Sequence, residues 1–146
     1  MADIDSKLAL FELYLATAEK VSDRRAQANS WMVSVNSAIV GFYGYLQADK
    51  LGLDASHKAI WLWAIPVAGA IVCLAWAALL ASYRKLNRAK FTVLAHLEMH
   101  LPVALFTEER EIYKRDRRIS LSQIELWIPG CFVLLYLTML LATVLR

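Results

Sequence analysis

The sequence contains few of the residues that interrupt helices or build covalent scaffolds: two cysteines, three prolines and five glycines among 146 residues. Cys73 and Cys131 are too few for a disulfide framework or for a metal site made of cysteine alone. Charged residues make up 20% of the chain and hydrophobic residues 59%, whereas an average soluble domain has about 25% and about 45–50%. This composition excludes intrinsic disorder and argues against a soluble globular protein.

The residue patterns expected of common catalytic and metal sites are incomplete in this chain. His96 and His100 share a helix face, but Leu97 stands where a zinc hydrolase of the HExxH type has glutamate. No serine lies in a G-x-S-x-G context, and no glycine-rich phosphate loop is present. Neither cysteine has a charged or histidine neighbour that would activate its thiol. We therefore predict that the protein is not an enzyme and uses no metal and no cofactor.

Hydrophobic residues are concentrated in three blocks, which we predict to be transmembrane helices. Residues 60–83 contain no charged side chain, and residues 124–145 contain only Glu125, near their start. Each block supplies the roughly 20 helical residues that cross a bilayer. Residues 31–47 form a shorter block that includes serine, asparagine and glycine, so its hydropathy is lower. We predict a span there because the distribution of basic residues requires three crossings.

Lysine and arginine residues predict the orientation. Four precede the first predicted span, two lie between the first and second, nine lie between the second and third, and Arg146 ends the chain. Short loops rich in these residues stay in the cytoplasm. We therefore predict a cytoplasmic N-terminal helical arm at 1–30, an external loop at 48–59, a basic cytoplasmic helix and loop at 84–123, and an external C-terminus. The membrane would be a bacterial-type inner (plasma) membrane.

The cytoplasmic segments are predicted to be largely helical. Met1 to Val40 contains no glycine or proline, which predicts one long helix that enters the membrane at Trp31. The second span is predicted to continue inward as a helix until Pro102 ends it. The charge run from Glu108 to Arg118 is predicted to be a solvated loop, with binding of anionic lipid or nucleic acid as the alternative.

A row of small and polar residues follows one face of the first predicted span. Its members recur at a spacing of three and four: Gln27, Ser30, Ser34, Ser37, Gly41 and Gly44. In a membrane, such a row suits close packing between helices, and it equally suits the wall of a water-filled lumen. The sequence leaves both alternatives open, and both require partner helices.

Two further polar or small-residue patterns point to self-association. Asn29 and Asn36 lie seven residues apart on a neighbouring face, where their amides could bond to an adjacent subunit. The second span has its own row of small residues: Gly69, Cys73, Ala77 and Ala81. Three spans are too few to cover two such faces, so the sequence predicts a homo-oligomer.

Two segments resemble a known family. One is the run from Ser82 to Phe91 (SYRKLNRAKF), which continues to Leu97-Glu98 and Leu101-Pro102; the other is the run from Asp23 to Asn29 (DRRAQAN). Together they resemble small bacterial membrane proteins that assemble as eight-subunit pores. The resemblance extends to the membrane-pore accessory protein of RNA-targeting type VI-B CRISPR systems, which the family is expected to include. The resemblance covers the chain from about Phe11 to Tyr136.

The resemblance implies an all-α ring of three-span subunits that defends against phage by permeabilising or depolarising the inner membrane. It implies a pore lined by Gln27, Ser30, Ser34 and Ser37. It further implies that four residues join subunits or fix the cytoplasmic helix against the arm: Asn29, Asn36, Asn87 and Lys90. The implied partners are seven further copies, the lipid bilayer and a cytosolic defence partner, without direct binding of nucleic acid. The alternatives are a non-conducting scaffold or sensor that recruits a cytosolic partner, and, less favoured, a membrane-tethered nuclease.

Overall fold

The computed structural model describes residues 2–48, 51–52, 54–99, 108, 111–112 and 121–145. These residues form three long helices: α1 (Ala2–Gln47), α2 (Ala55–Glu98) and α3 (Leu121–Val144). No strand occurs in the described ranges, and the prediction of an all-helical protein is confirmed. The helix end predicted at Pro102 and most of the charge run at 108–118 lie outside the described residues.

The scarcity of glycine and proline explains the length of the helices. α1 runs without interruption for 46 residues. Pro66 in α2 and Pro129 in α3 lie inside continuous helices, and both are buried, so neighbouring side chains cover the backbone that each proline leaves without its usual bond. Gly52, with φ of 60°, adopts the left-handed conformation in the short connection between α1 and α2.

The three helices lie side by side with a constant register. α1 and α2 are antiparallel, since low numbers on one meet high numbers on the other: Thr17 with Lys90, Ser22 with Asn87 and Asn36 with Cys73. α3 lies parallel to α1. Three pairs that are each 100 residues apart connect them: Arg25 with Glu125, Asn36 with Tyr136 and Tyr43 with Thr143.

Two stretches of the described chain are long and apolar enough to cross a membrane, namely α2 and the Ile124–Val144 part of α3. Within the most apolar 18-residue segment of each, only 33% and 11% is buried inside the protomer. A core helix of a soluble protein is mostly buried. The predicted span at 31–47 does not meet the same criterion. It stays a prediction, and it is supported by the register, which places α1 beside α3 from residue 25 to residue 43.

The packing between α2 and α3 depends on Gly69. A Cβ atom at Gly69 would overlap the ring of Tyr136, which is fully buried. Gly69 and Cys73 are buried and Ala77 and Ala81 are half-buried, so this row of small residues packs within the protomer. α3 covers the buried part of this row, so the protomer itself covers part of one of the two small-residue faces. An apolar cluster near the C-terminal end of α1 is formed by Tyr43, Leu46 and Ile65 with Ile39, Leu62 and Met139.

Gly69→Ala should therefore destabilise the protomer, whereas Gly130→Ala should not. Both substitutions gain the same helix propensity, but only the Cβ atom at position 69 overlaps a buried ring; nothing lies within 4 Å of a Cβ atom at position 130. Overpacking of this kind costs about 1–3 kcal/mol. The measurement is thermal unfolding in mild detergent, followed by circular dichroism. Equal melting temperatures for the two variants would contradict the close approach of Gly69 and Tyr136.

Candidate functional site

α1 has one face inside the protomer and one face outside it. Ala18, Asn36, Tyr43 and Leu46 are buried against the other helices. The predicted polar row lies on the outside, and every member of it is exposed: Gln27, Ser30, Ser34, Ser37, Gly41 and Gly44. We call these six residues the α1 stripe. The four residues predicted to line a pore thus lie together on a surface that the protomer itself leaves uncovered.

The α1 stripe is uncharged and has small side chains over most of its length. The six residues are spread over the 18-residue segment from Gln27 to Gly44, and each residue of a helix rises by about 1.5 Å, so the stripe is roughly 25 Å long. The Ser34 hydroxyl donates to the carbonyl oxygen of Ser30 at 3.1 Å. No atom lies within 4 Å of the position of a Cβ atom at Gly41 or Gly44, so both glycines face open space. The surface is shaped either for close approach of another helix or for contact with water.

A buried polar cluster connects all three helices at the middle of the same region. The Tyr136 hydroxyl donates to Asn36 Oδ1 at 3.0 Å, and the Cys73 thiol donates to the same oxygen at 3.1 Å. Asn36 Nδ2 donates to the Met32 carbonyl oxygen at 2.8 Å. Asn36, Cys73 and Tyr136 are each 0% exposed. The Asn36 amide is thus the shared partner of one residue from α2 and one from α3.

The position of Asn36 decides between the two roles expected for it. A fully buried side chain that bonds within its own protomer has no surface with which to contact another subunit. This placement favours the helix-fixing alternative for Asn36 over a bond to an adjacent subunit. Asn29, about two turns away, is half-buried, and its Oδ1 atom is buried without a hydrogen-bond partner in the described part of the chain.

An ion pair lies where α3 begins to run beside α1. Arg25 Nε is 3.4 Å from Glu125 Oε2, and the two side chains are only 16% and 18% exposed. The sequence interpretation did not pair these residues and did not single out Tyr136. Glu125 offered a signal, because it is the lone charged residue of its apolar block and needs a cation when partly buried. Tyr136 offered none beyond being a polar aromatic residue within an apolar run.

Asn87 and Lys90 connect α2 to the N-terminal part of α1. Asn87 Nδ2 donates to the Ser22 hydroxyl at 3.1 Å. Lys90 Nζ donates to the Thr17 hydroxyl at 2.8 Å and lies 4.8 Å from the centroid of the Tyr14 ring, a cation–π distance. Both residues thus contact the arm within one protomer, which favours the helix-fixing alternative over the joining of subunits.

The outer faces of α2 and α3 expose large apolar side chains along their apolar stretches; α1 also exposes Trp31, Phe42 and Tyr45, so its outer face is mixed. Ile71 and Leu74 on α2 are 61% and 63% exposed, and Leu134 on α3 is 65% exposed. Surfaces of this kind suit contact with lipid chains. Among the described residues, no group of three or more histidine, cysteine, aspartate or glutamate side chains is arranged to hold a metal ion.

Long apolar helices with lipid-like outer faces and buried polar contacts between them define an α-helical membrane protein. A family model matches residues 8–145, nearly the whole chain, and its description is the octameric membrane protein family (8xMP). The chain belongs to this family, and the resemblance seen in the sequence is confirmed at that level. Self-association follows from the family's octameric description. Comparison with curated proteins and with solved structures gives no match.

The contact between Asn36 and Tyr136 can be measured with a double-mutant cycle of Asn36→Leu and Tyr136→Phe. Each single variant removes their hydrogen bond, so the double variant should lose less stability than the sum of the two. The expected coupling is about 0.5–1.5 kcal/mol, the range found for hydrogen bonds between membrane helices. Unfolding in detergent by a chemical denaturant provides the free energies. Strictly additive effects would show that the two side chains do not interact.

Proposed function

We propose that the chain assembles into an octameric membrane pore whose lumen is lined by the α1 stripe. The observation that carries the proposal is the exposure of the whole stripe on a protomer whose other outer faces are apolar. Polar side chains inside a membrane generally face a bundle interior or an aqueous cavity instead of lipid. In a ring of subunits, the α1 stripe is the least apolar face and is best placed at the central axis. The apolar faces of α2 and α3 are best placed on the outer side of the ring, against lipid.

The size of the assembly favours a lumen over dry packing. Eight helices, each about 10 Å in diameter, form a ring whose central opening is of the order of 15 Å. Small side chains such as serine and glycine cannot fill an opening of that width, so water would occupy it. A dimer would instead leave the stripe free to pack directly against its copy. The octameric family description therefore favours the lining of a lumen over close helix packing as the role of the α1 stripe.

The proposed role of the pore is antiphage defence in the inner membrane, without enzymatic activity. An uncharged opening of this width would pass ions and collapse the membrane potential. The resemblance to the pore component of type VI-B CRISPR systems supports a defence role. In the proposed topology, residues 31–47 form a third span, the N-terminal arm and the 84–123 region lie in the cytoplasm, and the C-terminus lies outside. These cytoplasmic parts would receive the activating signal.

Cysteine substitution provides a direct test of the lining. In a Cys131→Ser background, Ser34→Cys or Ser37→Cys should make the conductance of reconstituted bilayers sensitive to a water-soluble, cationic thiol reagent, because the new thiols face water. Leu74→Cys and Leu134→Cys are matched controls, since both positions are exposed on apolar outer faces. They should be insensitive to the reagent. Cys73 stays in place because it is buried.

Native mass in mild detergent makes the conductance result interpretable. The complex should have eight times the 16.5 kDa mass of the chain. An eight-copy complex that conducts no better than protein-free bilayers would overturn the pore and leave the non-conducting scaffold. If conductance persists after full modification at positions 34 and 37, the complex is a pore, but the α1 stripe does not line it.

The defence role has its own test in cells. The native chain, expressed in a bacterial host, should cause loss of membrane potential during phage infection and should reduce plaque formation. Ser34→Leu with Ser37→Leu should abolish both effects, because leucine makes the stripe apolar. Leu74→Ala is the control, and it should behave as the native chain does. Equal protection by all three chains would contradict a defence mechanism that depends on conduction.

A further inference from the structure

A basic surface groove lies where α2 leaves its charge-free stretch. The groove has a volume of about 260 Å³ and is lined by Ala81, Arg84, Lys85 and Arg88. Their spacing of three, one and three residues places all four on one face of α2. Residues 60–83 are uncharged, so the first cations that follow this stretch lie directly at the expected edge of the hydrocarbon layer.

The three cations have no structural role in the described protomer. Lys85 and Arg88 are exposed and Arg84 is half-buried. No carboxylate of the described residues pairs with any of the three; Glu125, the acid at the start of α3, pairs with Arg25 instead. The contacts that connect this part of α2 to α1 come from Asn87 and Lys90. Within the described residues, no carboxylate therefore neutralises this basic face, and it can take a ligand from outside the protomer.

We propose that this groove binds the phosphate of an anionic phospholipid. Basic residues just beyond a membrane-spanning helix attract anionic headgroups, and arginine forms paired hydrogen bonds to phosphate oxygens. The small side chain of Ala81 leaves space beside the helix at the level where the lipid backbone would lie. The long stems of Arg84 and Lys85 can lie along the lipid while their charged ends reach the headgroup. The proposal requires that α2 spans the membrane, and it is independent of whether the assembly conducts.

The test is a lipid titration followed by native mass spectrometry of the complex purified in neutral detergent. The native complex should bind phosphatidylglycerol more tightly than phosphatidylcholine. Lys85→Gln with Arg88→Gln should weaken phosphatidylglycerol binding about 10-fold or more, since each basic residue near a membrane surface contributes about 1 kcal/mol. Lys20→Gln with Arg24→Gln is the matched control, because it removes the same two charges from exposed positions of α1. It should leave the lipid preference unchanged.

Each other outcome overturns the proposal. Equal binding of the two lipids by the native complex would mean that the groove does not recognise the anionic headgroup. Equal weakening by the control pair would mean that net charge, and not the groove, attracts the lipid. Displacement of the lipid by a molar excess of inorganic phosphate would assign the groove to free phosphate. Loss of the oligomer in the Lys85 and Arg88 variant, with its lipid preference intact, would assign the basic face to a neighbouring subunit.

Discussion

The buried amide of Asn36 is the constraint on which the arrangement of the three helices depends. A polar side chain enclosed among apolar helices must find hydrogen-bond partners within the protein, because an unsatisfied group there is costly. Its partners are the Tyr136 hydroxyl of α3 and the Cys73 thiol of α2. A shift of any one helix by a single turn would separate these groups. The helix surfaces are otherwise apolar and could pack in many similar registers. The cluster therefore favours one of these registers.

The same register determines what is left on the outside of α1. Asn36 points inward, and Ser34 and Ser37 consequently lie on faces turned away from it, where no other part of the described protomer covers them. The alignment of α1 with α3 holds from Arg25–Glu125 to Tyr43–Thr143. This places the α1 stripe at the depth of an apolar helix that is long enough to cross a membrane. The same arrangement thus gives Asn36 its hydrogen-bond partners inside the protomer and leaves the residues of the α1 stripe exposed on its outside.

The contacts between α1 and α2 change in character along the helices. Near Asn36 they are fully buried, and towards the N-terminal arm they involve partly exposed groups such as Asn87 with Ser22 and Lys90 with Thr17. Exposed polar contacts contribute less stability, since water competes for them. Ala18 on α1 and Leu94 on α2 are nevertheless fully buried in this region, so apolar packing also holds the arm.

The sequence alone determined the helical class, the two most apolar spans and the α1 stripe, because each is a property of one continuous segment. Length without glycine or proline predicts helix, and a spacing of three and four residues places side chains on one face of it. Only the tertiary structure decided which face of each helix turns inward. Spacing orients Ser37 relative to Asn36 but orients neither of them relative to α3. The close approach of Gly69 to Tyr136 and the pairing of Arg25 with Glu125 join residues 67 and 100 positions apart, where no periodicity within one segment can predict contact.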